Sequence, residues 1–270
     1  MSRYAFPSGG LPDQSGDPAA NGAVFTPAYA LIPAATMRDI VTSLLPGWER
    51  TRAWILARPL SGFAETFAQY AVEVGPGGGS EEPEPDFLAE GVLFVAGGEG
   101  TLEAAGRRHA IGPGAWAYLP PGRPWAIRAR TRLRLHWIRR RYCPVDGLAV
   151  PDFHLARDDE TPVEWMPGTD LWGTTRFVDP ADLRHDMHVN IVTFRPGGRI
   201  PFAETHVMEH GLYVLEGRAR YLLNTDWHEV GPGDFMWLRA FCPQACIATG
   251  EGPFRYLLYK DVHRHPALSL

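Results

Sequence analysis

The sequence predicts an all-β protein built from two tandem copies of one antiparallel barrel or sandwich. Three observations support this. The 270 residues include 29 Gly and 25 Pro and few long stretches of helical period, which is the composition of short strands joined by tight turns. Four blocks recur in one order along the chain. The blocks are themselves short runs of β-branched and aromatic residues bounded by Gly or Pro.

Residues 1–52 are weakly patterned and read as an N-terminal arm, in which Asp39–Trp48 is expected to form a helical turn or more. The first copy is expected over 53–145 and the second over 146–270, with 143–170 as the linker and the opening of the second copy. The repeat begins with YAVEVGPGGG from Tyr70, answered by NIVTFRPGGR from Asn190. GVLFVAGG from Gly91 then matches GLYVLEGR from Gly211. IGPGAWAYLPPG from Ile111 matches VGPGDFMWLRAF from Val230, and LHWIRR from Leu135 matches RYLLYK from Arg255. Each Gly-Pro-Gly (112–114 and 231–233) joins a residue of fixed φ to two of permissive φ, as a turn between strands requires.

Composition excludes several function classes. The formal charge is −5 and the basic residues form no dominant run, so nothing suggests a nucleic-acid partner. The short cluster Arg139–Arg141 reads as an exposed strand end. No apolar stretch approaches the roughly 20 residues of a membrane span, and the N-terminus lacks an apolar secretory core. Three cysteines without a CxxC pair argue against a disulfide framework. A soluble, cytoplasmic protein is the expectation.

The second copy carries specific chemistry. Glu204 and His206 are spaced i, i+2 and so share one face of a strand, and His210 keeps the same parity. Gln244 lies downstream, beyond Gly233. Two imidazoles, a carboxylate and an amide oxygen form a mixed N/O set suited to a six-coordinate metal of the manganese or iron type. The remaining histidines (His109, His136, His154, His185, His188, His228, His263 and His265) read as core or surface residues.

These residues resemble the two-part cupin metal motif, Gly-x5-His-x-His-x3-Glu-x6-Gly followed by Gly-x5-Pro-x-Gly-x2-His. Here Glu204 stands for the first His, His210 for the Glu and Gln244 for the last His. This permuted set is similar to that of the (S)-ureidoglycine aminohydrolases, and the likeness covers most of residues 70–262. The resemblance implies a bicupin, that is, two double-stranded β-helix (jelly-roll) barrels in one chain. It implies Mn2+ or another divalent first-row metal on Glu204, His206, His210 and Gln244. The implied reaction is hydrolysis of (S)-ureidoglycine to (S)-ureidoglycolate and ammonia in allantoin degradation, by a homo-oligomer acting on a small ureido acid. Glu204 and Lys260 would be catalytic, and Glu204, Gln244, Tyr256 and Lys260 would contact substrate.

At the corresponding positions the first copy is expected to carry Glu84, Asp86, Glu90 and Trp125, with Glu81, Glu82, Glu84 and Asp86 in a solvated loop, and to bind no metal. Two rival readings stand beside this one. They are a different metal-dependent cupin enzyme acting on a small acid (an oxygenase or isomerase), and a non-catalytic ligand-binding bicupin.

Overall fold

The computed structural model describes residues 22–36, 43–261 and Arg264. Among these residues twenty strands follow one another. They begin with β1 (Val24–Phe25), β2 (Tyr29–Ile32), β3 (Glu49–Ala57), β4 (Ala68–Ser80), β5 (Ala89–Gly97) and β6 (Gly100–Ala104). Next come β7 (Arg107–Ile111), β8 (Ala115–Leu119), β9 (Trp125–Ala129), β10 (Leu133–Arg141), β11 (His154–Arg157), β12 (Val163–Trp165) and β13 (Trp172–Thr175). The last are β14 (Met187–Phe194), β15 (His210–Glu216), β16 (Ala219–Leu223), β17 (Asp226–Val230), β18 (Phe235–Leu238), β19 (Gln244–Ala248) and β20 (Phe254–Asp261). The all-β expectation holds, and every repeat block contains a strand.

Both copies are wound alike. In the first, neighbouring strands run β8-β5-β10-β4, and β9-β6-β7 continue the sheet. In the second, β18-β15-β20-β14 repeat the order and β19-β16-β17 form a separate sheet. The Gly-Pro-Gly turns close as predicted. Ala115 N–H donates to Gly112 O (3.0 Å) and Asp234 N–H to Gly231 O (3.1 Å), with Gly114 and Gly233 at positive φ. The last glycine of each Pro-Gly-Gly is required by a close approach. A Cβ on Gly78 would lie 2.5 Å from Glu49 O, and one on Gly198 would lie 2.4 Å from Leu171 O.

Of the described residues, one compact unit takes 43–58 and 67–160, and the other takes 22–36, 59–66 and 161 onward. The expected boundary at 145/146 moves to 160/161 because β11 pairs with β8, Leu155 opposite Ala117. The expected arm is divided as well. β2 pairs with β18, Leu31 opposite Met236, while β3 pairs with β4. The strand preceding each copy in sequence therefore completes the sheet of the other copy. Residues 39–42 of the expected helical segment lie outside the described residues, and Ser43 forms an antiparallel bridge with Ala53.

Each unit closes around its own core. In the second, Phe194, Leu212, Val214, Tyr221, Phe254 and Tyr256 interlock with almost no exposure. Burial of each such side chain contributes roughly 1.5–3 kcal/mol. Alternation along β20 puts Phe254, Tyr256 and Leu258 on the same face, and that face carries the core into the site below.

Candidate metal centre

The second unit holds a cavity of about 130 Å³, room for roughly four waters at their liquid volume. Glu204, His206, His210, Gln244, Tyr256 and Lys260 all line it. Every site residue expected from sequence therefore reaches one space.

Local structure explains how. Glu204 and Gln244 form an antiparallel bridge, each N–H donating to the other's carbonyl at 2.9 Å, so their side chains emerge as neighbours. His206 follows two residues on, its carbonyl accepting from Phe241 N–H (2.6 Å) and its Nε2 3.3 Å from Glu204 Oε1. His210 opens β15 and is buried. Its Nδ1 lies 3.0 Å from the Glu209 carbonyl, an acceptor only, so Nδ1 carries the proton and Nε2 keeps its lone pair.

Electrostatics suit ligation. Burial, then the neighbouring His206 charge, pull the His210 pKa down to about 3, so this imidazole is neutral at physiological pH, as a ligand must be. Gln244 Oε1 accepts from the Tyr221 hydroxyl at 2.8 Å, and an amide oxygen retains a second lone pair. Burial pushes the Tyr221 and Tyr256 hydroxyls well above the ordinary phenol range, so both remain neutral donors. Lys260 is shifted down, first by burial and then by the charge of Arg176. Among the described residues, no three His, Cys, Asp or Glu side chains close on a common point. The His206 and His210 rings stand 5.2 Å apart. The fit to a divalent ion therefore rests on donor chemistry within one cavity: two imidazoles, one carboxylate and one amide oxygen.

A cupin-domain family model matches residues 190–259, the span from β14 to β20. The chain is 33% identical to (S)-ureidoglycine aminohydrolase of Escherichia coli strain K12 over 235 residues, covering 85% of this chain and 87% of that one. The chain belongs to the (S)-ureidoglycine aminohydrolase family. The family's Arabidopsis thaliana member is 31% identical over 244 residues, 90% of this chain and 78% of that one. A crystal structure from Pseudomonas aeruginosa, described as a candidate glyoxylate-induced protein, superposes with a TM-score of 0.89 at 58% identity, covering all of both chains.

The first copy of this bicupin departs from the expected correspondence. His210 pairs with Leu238 as Gly91, not Glu90, pairs with Leu119. The residue facing the first barrel at the position of His210 is therefore a glycine. Glu90 takes the place of Glu209 instead, and both carboxylates are buried against an aromatic donor: Tyr118 Oη to Glu90 (2.8 Å) and Trp237 Nε1 to Glu209 (2.6 Å). Trp125, which opens β9 as Gln244 opens β19, packs with Trp48 and Trp137, ring centroids 5.7–6.3 Å apart. The acids nearby are less solvated than expected. Glu84 is paired with Arg139, its side chain 12% exposed, and Asp86 is paired with Arg141.

Among the residues that line the cavity or act on it and that the sequence reading missed, three polar ones stand out. Arg176 lines it from just beyond β13 and Asn190 from β14, and Tyr221 orients Gln244 from β16. Asn190 had a visible signal, being a polar residue beside the apolar Val189, Ile191 and Val192 of a buried strand. Arg176 and Tyr221 had none.

Proposed function

We propose that this protein hydrolyses (S)-ureidoglycine to (S)-ureidoglycolate and ammonia, using one manganese ion held in the second unit by Glu204, His206, His210 and Gln244. The reading is supported by family membership, and one observation carries it. All four donors share a small cavity with Lys260 and Tyr256. A bound divalent ion would supply Lewis acidity and a charge that attracts the substrate's carboxylate.

The chain's own groups supply the rest. Lys260 offers a cation to an anionic or carbonyl end of the substrate, and Tyr256 offers a neutral hydroxyl to the ureido group. Glu204 takes up the proton that the water loses as its oxygen bonds to the carbon, and passes it to the amine as the C–N bond of that carbon breaks. Walls formed by Val192, Ile200, Met208 and Leu258 limit water around these groups.

The test is ammonia release from freshly generated ureidoglycine, with protein stripped by chelator and then reloaded with Mn2+. Release restored by Mn2+ supports the reading. No release from the reloaded protein ends it.

A further inference from the structure

The cavity contains a cation that the proposed reaction does not use. Trp172, Thr174 and Arg176 alternate along β13 and its end, and all three face the cavity. The Arg176 side chain is 24% exposed, and its Nη1 is engaged by the carboxylate of Glu164 on β12, itself 59% exposed. Lys260 enters the same space, close enough that the charge of Arg176 lowers its affinity for a proton. Glu204 is the one carboxylate among the described residues that line the cavity, and it lies against His206. Two like charges in a small, partly desolvated space repel each other, and an entering anion relieves both the repulsion and the desolvation. The two cations also differ in kind. A lysine is a point charge, whereas the planar guanidinium presents a fork that matches a carboxylate. Only one edge of that fork need be occupied by Glu164.

We propose that Arg176, held in orientation by Glu164, is a second carboxylate-binding cation beside Lys260 and makes the cavity select small carboxylates over their neutral analogues. This rests on the reading of the cavity as the substrate site. Asn190, buried in β14 and facing the same space, provides an amide for the uncharged end of such a ligand.

The test compares binding of N-carbamoylglycine, a stable ureido acid, with binding of its neutral amide. Calorimetry is run on chelator-stripped and Mn2+-loaded protein. Wild type is expected to prefer the acid at least tenfold, in stripped protein as well. Arg176→Gln should reduce that preference at least threefold while binding the amide unchanged, Lys260 keeping the remainder. A wild-type preference in Arg176→Gln overturns the proposal. If Arg176→Gln folds poorly, Arg176→Lys decides, because it keeps a charge for Glu164 but loses the fork. A preference reduced at least threefold supports the proposal, and an unchanged one overturns it. Ammonia release by wild type separates the two readings: its absence removes the reaction but leaves the preference for the acid standing, whereas loss of the Arg176 dependence with turnover intact removes only this subsite.

Discussion

Glu209 lies next to His210 but points away from the cavity, and its replacement should test stability more severely than replacement of any metal ligand. Its carboxylate accepts from Glu65 N–H (2.8 Å), Thr66 N–H (2.9 Å), Thr66 Oγ1 (2.5 Å) and Trp237 Nε1 (2.6 Å). Glu209→Ala leaves four donors facing a void. The Thr66 hydroxyl can turn to Tyr259 Oη, 3.0 Å away, which leaves three without an acceptor. At about 1–3 kcal/mol for each buried unsatisfied group, less the desolvation cost the carboxylate no longer incurs, the net loss should be about 3–5 kcal/mol. Urea unfolding of the second unit, followed by tryptophan fluorescence, measures this. His206→Ala is the control, and because that side chain is partly exposed and outside the core it should lose under about 1 kcal/mol. A Glu209→Ala loss as small as the control's would refute the reasoning and make the carboxylate dispensable to the fold.

Metal analysis after stripping and Mn2+ reconstitution should give close to one ion per chain, and His206→Ala with His210→Ala should remove it from a still-folded protein; a stoichiometry near two contradicts the single-site assignment. Lys260→Met should lower kcat/KM at least tenfold, about 1.4 kcal/mol, and Tyr256→Phe should lose roughly 0.5–1.5 kcal/mol, with metal content unchanged in both. Wild-type kinetics in Lys260→Met would remove that residue from the site. In the first unit, burial holds the His136 pKa at about 4, below its ordinary value near 6.5, so the unfolded chain takes up the proton first. Stability from this residue is therefore intact above pH 6.5 and lost as pH falls toward 4. Between pH 7 and pH 5 the wild type should lose about 2 kcal/mol more than His136→Gln in urea unfolding. Parallel pH dependence in the two proteins would show that His136 does not titrate this way.

Much of this molecule could be read along the chain. A strand's identity depends on its neighbours in sequence, so alternating apolar residues and Gly-Pro-Gly turns marked β5, β8, β15, β18 and β20 before any coordinates. The repeat implied one topology used twice. The spacing of Glu204, His206 and His210 pointed to one cluster, but not through strand alternation: Glu204 sits on an isolated bridge, His206 in the loop after it and only His210 on a strand, so the loop brings them to one cavity. What escaped the sequence depends on pairings between distant residues. Leu31 lies opposite Met236, and the strand before each copy completes the other copy's sheet, through hydrogen bonds that no local pattern encodes. The one-residue register that puts Gly91 rather than Glu90 at the position of His210 is set by its pairing with Leu119. Arg176 and Tyr221 join the site only because β13, β16 and β19 are brought beside β20 and the Glu204 bridge when the sheets close. The proposed ligands were legible because they are close in sequence or fixed by a motif; the other walls of the cavity come from β13, β14, β20 and the loops between strands, and only the folded chain brings those together.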